Sequence, residues 1–154
     1  MKRRQKMNPP LKPLSLIMLP LLGLYSDGID VVSSSDVLIA DSIISTADDA
    51  ICLKTDDLGE RGRGTIRPTE NIVVNNCILT SSSAAMMIGT ETHADKRHVL
   101  FSNIIVRNSN KVFGINVQDG ATVSDVRFAN ITFETNEQER ARTPFLLDPA
   151  LGRV

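Results

Sequence analysis

The chain has 154 residues, the length of one ordinary domain, with 42% hydrophobic residues, 4% aromatic residues and a net charge of −1. Seventeen basic residues against 18 acidic ones, with no charge run to support it, exclude the footprint of a nucleic-acid binder. The composition also excludes collagen, coiled coil and wholesale disorder, and Cys52 and Cys77 lack the CxxC spacing of a zinc framework.

Residues 1–24 differ from the rest. KRRQK (2–6) carries four positive charges, and LSLIMLPLLGL (14–24) is almost wholly apolar. A basic stretch before a short apolar one has the form of a secretory signal peptide. The apolar run is too short to span a bilayer as a helix, so no membrane span is expected. Residues 1–12 hold five of the 17 basic residues; without them 12 basic residues face 18 acidic ones, a net of −6. That remainder suits a secreted or periplasmic protein. An irregular start is the equal alternative, because no small-x-small cleavage site precedes Tyr25.

Beyond residue 24 the chain repeats. VLIADSII (37–44), IVVNNCIL (72–79), VLFSNIIV (99–106) and VRFANITF (126–133) share one pattern. They start at Val37, Ile72, Val99 and Val126, so the offsets are 35, 27 and 27. Alternation at period two marks strands with one buried face. A period near 27 without helices predicts an all-β fold, a right-handed parallel β-helix (solenoid) of about four to five coils. A β-sandwich with coincidental spacing is the alternative. Asp41, Asn76, Asn103 and Asn130 occupy one position of the pattern. Asn and Asp tolerate left-handed backbone there, and stacked amides can bond to one another. Cys52 and Cys77 fall in strand-like segments, where buried free thiols are expected and a pairing between adjacent coils is the alternative.

The long first step contains TDDLGERGRGTIRPT (55–69), rich in Gly and charge, which reads as a loop leaving the wall. No strand alternation follows Thr135. The expected organisation is a signal-like or irregular segment (1–24), a partial β-helix of catalytic type (25–135) and an irregular tail (136–154). With so few coils before the acidic segments, the sequence reads as part of a longer solenoid.

Three carboxylates carry the chemistry. Asp27 precedes Asp48 by somewhat less than one repeat, and Asp49 follows directly. Positions about one coil apart stack on neighbouring turns, so all three are expected on one patch. Crowded like charges raise one pKa, which suits glycoside hydrolysis: a protonated acid for the leaving oxygen and a carboxylate base for water. A solvated turn or a cation site is the alternative for Asp-Asp alone.

SDGIDVVSSSDVLIADSIISTADDAICLK (26–54) resembles the first two active-site motifs of the polygalacturonase family, glycoside hydrolase family 28. That family's pattern is Asn-Thr-Asp-Gly-Ile-Asp, then Gly-Asp-Asp-Ala/Cys-Ile one coil later. The likeness extends more loosely through residues 75–92 and the repeats to about residue 135. It implies a pectin-degrading parallel β-helix that hydrolyses with inversion. Asp48 would be the general acid, and Asp27 and Asp49 would hold and deprotonate the attacking water. Inversion implies carboxyl groups roughly 6.5–9.5 Å apart. The implied partner is a pectic chain, bound by a monomer with no cofactor and no metal.

The chain departs from the family in three places. The first motif has Tyr25-Ser26 where the family has Asn-Thr before Asp. The Gly-His-Gly motif falls on Ser82, Ser83 and Ala84, and the Arg-Ile-Lys motif reads Gly114-Ile115-Asn116. Without those cations the charge-assisted bonds to a uronate are lost, which favours a neutral sugar at the cleavage subsite. Lys54 and Glu91 are the preferred substrate-binding residues. Arg61, Arg63, Arg67, Arg107 and Lys111 read as surface charges first. His93 and His98, five apart with no thiolate partner, are weak metal ligands. The competing functions are a non-catalytic carbohydrate-binding β-helix and a Ca²⁺-dependent polysaccharide lyase. The lyase needs an Arg or Lys base beside a carboxylate-bound cation, and the sequence shows no such pair near Asp27.

Overall fold

A computed structural model of the chain describes residues 17–18, 26–56, 66–134 and 145–149. Among these residues there are strands and no helix, so no helix is long and apolar enough to cross a membrane. The strands are β1 (Ile17–Met18), β2 (Ile29–Val32), β3 (Ser35–Ala40), β4 (Ile43–Thr46), β5 (Ile51–Thr55), β6 (Thr69–Ser81), β7 (Ala84–Thr92), β8 (Lys96–Val106), β9 (Lys111–Val117), β10 (Val123–Phe133) and β11 (Phe145–Pro149).

The strands form two parallel sheets, and from β4 onward the chain visits them alternately. The first runs β1-β4-β6-β8-β10, with β3 also pairing with β6; the second runs β11-β9-β7-β5-β2. In the first sheet Val37 pairs with Ile72, Ile72 with Val99 and Val99 with Val126. The four repeats therefore stack start to start, at the offsets read from the sequence. This arrangement is compatible with a β-helix.

The repeated pattern has a local cause. Asp41, Asn76, Asn103 and Asn130 all have φ of 53° or 54°. Asn and Asp adopt this left-handed conformation more readily than other side-chain-bearing residues. Each shifts the alternation by one position, so Val74 and Cys77, three apart, are both buried. The amides form a broken ladder. Asn76 Nδ2 donates to Asp41 Oδ1 and Asn130 Nδ2 donates to Asn103 Oδ1, but Asn103 Nδ2 turns to Asn75 Oδ1 at 2.8 Å. A second left-handed column, Asp36, Asn71, His98 and Asp125, precedes the four repeats at the same offsets. Within it Asn71 Nδ2 donates to Asp36 Oδ1 at 3.0 Å, and His98 Nδ1 lies 2.9 Å from Asp125 Oδ2.

The core draws on both sheets. Ile39, Val74 and Phe101 from the first meet Ile51, Leu53, Met86 and Ile88 from the second. Each such side chain contributes about 1.5–3 kcal/mol on burial. All five phenylalanines share one cluster. Phe128 stacks on Phe101 and Phe113, and Phe145 contacts Phe113 and Phe133. The aromatic content is low but concentrated.

Three boundaries differ from the sequence reading. Segment 1–24, expected to be signal-like or irregular, supplies β1, whose Ile17 registers with Ile43. The tail expected to be irregular over 136–154 supplies β11, paired with β9 from Phe145↔Phe113 onward. The loop expected over 55–69 is narrower, because Thr55 and Thr69 are fully buried strand ends. Cys52 and Cys77 are buried and unpaired, in different sheets.

Candidate functional site

Asp27 lies just before β2, and Asp48 and Asp49 lie between β4 and β5. The strands β2 and β5 are neighbours, with Ile29 opposite Ile51. Carried back along both strands, that register sets Asp27 beside Asp49 rather than Asp48. Backbone bonds lock the approach: Gly28 N–H donates to Asp49 O at 2.8 Å, and Asp48 N–H donates to Ser26 O at 3.2 Å. Gly28 is required by space, since a Cβ there would lie 2.4 Å from Ala50 O.

One oxygen from each of Asp27, Asp48 and Asp49 lies within 4.8 Å of the others. The predicted convergence is thus present in the geometry. Asp27 Oδ1 accepts the Asp49 N–H at 3.0 Å, and Asp27 Oδ2 lies 2.8 Å from Lys54 Nζ. Asp49 Oδ1 accepts the Ala84 N–H at 2.8 Å. The Asp48 carboxylate takes no hydrogen bond among the described residues. Its backbone carbonyl is held by Thr46 Oγ1 and Ser81 Oγ at 2.7 and 2.6 Å.

Burial pushes the Asp49 carboxyl above its ordinary value. The charges of Asp27 and Asp48 add to this, against the bonds from the Ala84 N–H and Ser83. Burial also raises Asp30, assisted by Asp27 and opposed by Lys54. For Lys54, burial acts to lower the value, but bonds to Asp27 and Asp30 outweigh it and hold the ammonium above the usual lysine range.

Lys54, expected to touch substrate, is in the site but bridges Asp27 and Asp30 at 2.8 and 3.0 Å. Two of its three ammonium donors are thereby used. Asp30 is a site residue that the sequence reading misses, although it lies in the SDGID motif and registers with Cys52, two positions before Lys54. Strand parity alone places Asp30, Cys52 and Lys54 on one face. Glu91 is not brought to the carboxylates; its hydrogen bond comes from neighbouring Thr90 Oγ1, at 3.3 Å.

Of the departures from the family motifs, Tyr25 lies outside the described residues, and the other two fall in different places. Ser83 borders the site and bonds to Asp49. Gly114 registers with Met87 on β7, two strands from β2, and the Asn116 carbonyl packs against Gly89. The buried Asn116 Oδ1 has no hydrogen-bond partner among the described residues. Of the other cations, Lys111 registers with Ala84, whose N–H binds Asp49, while Arg107 faces Glu134 at 3.6 Å. Arg67 is exposed, and Arg61 and Arg63 lie outside the described residues. His93 and His98 go to different carboxylates, Asp119 and Asp125.

Among the described residues two groups have metal-ligand spacing: Asp27, Asp48 and Asp49, and Asp27, Asp30 and Cys52. The second fits a metal poorly. Lys54 already supplies its positive charge, and burial pushes the Cys52 thiol far up, away from the thiolate a metal needs. In the first, three oxygens of Asp27 and Asp49 already accept bonds.

No family model, no curated protein and no solved structure matches this chain.

Proposed function

We propose that the chain is a glycosidase of polygalacturonase type, built on a right-handed parallel β-helix, that hydrolyses O-glycosidic bonds in a pectin-type polysaccharide. The observation that carries this reading is the convergence of Asp27, Asp48 and Asp49, with Asp27 hydrogen-bonded to the Asp49 backbone. Asp48, whose carboxyl is uncommitted among the described residues, delivers a proton to the leaving oxygen. Asp49, made more basic by burial, takes a proton from water that Asp27 helps to orient. No cofactor enters this scheme.

The family resemblance implies inversion, with room for a water between acid and base. Proton NMR of the first-formed product anomer decides between inversion and retention. Lys54 has one ammonium donor left for a sugar hydroxyl, and Glu91 would contact a more distant unit. The proposed setting is a secreted or periplasmic monomer acting on a cell-wall chain.

One observation favours a non-catalytic carbohydrate-binding module instead: both oxygens of Asp27 are already engaged. Reducing-end release from homogalacturonan and rhamnogalacturonan separates the readings. A hydrolase cleaves at least one of these polymers; a binding module retains them on an affinity gel without cleavage.

A further inference from the structure

We propose that Lys54 is a positioning residue: anchored on Asp30, its ammonium pins the Asp27 carboxylate so that the free oxygen receives the Asp49 N–H. Its consequence for turnover rests on the hydrolase reading above.

The geometry is specific. Lys54 Nζ lies 2.8 Å from Asp27 Oδ2 and 3.0 Å from Asp30 Oδ2. The Lys54 and Asp27 side chains are only 18% and 21% exposed, so their attraction is less screened than that of a surface pair. The backbone of Lys54 is itself fixed: its carbonyl accepts the Ser33 N–H at 3.1 Å and Thr69 Oγ1 at 2.7 Å. With one oxygen on Lys54 and the other on Asp49 N–H, the Asp27 carboxylate cannot rotate freely.

Asp27 stands in two acidic groups, with Asp48 and Asp49 on one side and with Asp30 and the Cys52 thiol on the other, and the Lys54 ammonium bridges Asp27 and Asp30. Removing the ammonium leaves Asp27 among like charges and frees its Oδ2, so that the Asp49 N–H bond loses the contact that orients the carboxylate. Because two carboxylates already share Lys54, it is a poor counter-ion for an acidic sugar. Its effect passes through Asp27.

The test uses the full chain with Lys54→Met and Lys54→Arg, read by hydrogen exchange of the Asp49 amide and by kcat and KM on homogalacturonan and rhamnogalacturonan. In Lys54→Met the Asp49 amide should exchange about tenfold faster, the loss of roughly one hydrogen bond, while the Val74 and Phe101 amides keep their protection. Where the wild type cleaves either polymer, kcat should fall about 10²-fold with KM within about threefold, the pattern of a misplaced catalytic group. Lys54→Arg should recover part of both effects. Unchanged Asp49 exchange in folded Lys54→Met overturns the proposal. A raised KM with unchanged kcat also overturns it, because Lys54 would then act on substrate binding alone. If Lys54→Met does not fold, Asp30→Asn removes the second anchor and should accelerate Asp49 exchange by a smaller factor; no acceleration overturns the proposal. A wild type that cleaves neither polymer sinks the hydrolase reading, while the Asp49 amide still decides the role of Lys54.

Discussion

Asp27 Oδ1 accepts the backbone N–H of Asp49 at 3.0 Å, joining two acids across adjacent parallel strands. The bond turns a register into a site. If β2 slipped by one position against β5, Asp27 would lose its place and Ile29 would leave the core face.

Gly28 allows that approach. A Cβ there would meet Ala50 O at 2.4 Å and the Cγ2 methyls of Ile44 and Thr46 at 2.8 Å. Gly28→Ala should destabilise the fold by about 1–3 kcal/mol, as overpacking does, and displace Asp27. Urea unfolding beside the wild type measures the first effect, and the Asp49 amide shift reports the second.

Asp49→Asn should stabilise the protein at neutral pH while removing turnover. Its folded carboxyl is raised, chiefly by burial, so the folded state binds the proton more tightly than the unfolded state. Stability from this group is therefore full at low pH and falls as pH rises from the ordinary carboxylate value through the raised one. Asn keeps an oxygen for the Ala84 N–H and removes the charge that Asp27 and Asp48 oppose. Thermal unfolding at pH 3 and pH 7 checks this: the mutant's advantage should appear at pH 7 and vanish at pH 3.

Lys96 is fully buried, and among the described residues its ammonium bonds to Thr55 Oγ1 at 2.8 Å and Ala94 O at 3.3 Å. Burial lowers it from the ordinary 10.5 to about 8, against the attraction of Asp119. Charging it therefore costs the fold stability below pH 8, and that cost is relieved as pH rises toward 10.5. Lys96→Met should thus raise Tm at pH 7, with the gain shrinking by pH 10. A gain independent of pH would contradict the buried-charge account.

Asn103 has φ of 53°, where a β-branched residue is strained. Asn103→Val should cost about 1–2 kcal/mol more than Asn103→Gly, because both lose the side-chain bonds and only Val meets the steric penalty. Chemical denaturation of the pair isolates that difference.

Much of this is legible in the sequence. The spacing of the four repeats is the observed register because one αL residue per repeat keeps the pattern in phase. The second αL column is hard to see there because its members, Asp36, Asn71, His98 and Asp125, differ in type and lie just before the matched windows. FLLDP (145–149) lacks alternation, and its place beside β9 comes with contacts of Phe145 to Phe113 and Phe133 that are tertiary in origin. The three acids are visible in their motifs and their shared patch is expected from the coil spacing, but that spacing does not say which acid stands beside Asp27; the strand register does, and it selects Asp49. The charge of Lys54 is plain in the sequence and its destination is not, because that depends on Asp30 sharing a face with it across two strands.

The central claim is that Asp48 delivers a proton to a leaving sugar oxygen. Its most direct test is reducing-end release from homogalacturonan and rhamnogalacturonan by the wild type and by Asp48→Asn, both shown to be folded by β-type circular dichroism. The account predicts cleavage of at least one polymer by the wild type and a loss of about 10²–10⁴-fold in the variant, the usual worth of a general acid. Equal rates in the two proteins, or no release by a folded wild type, would contradict it.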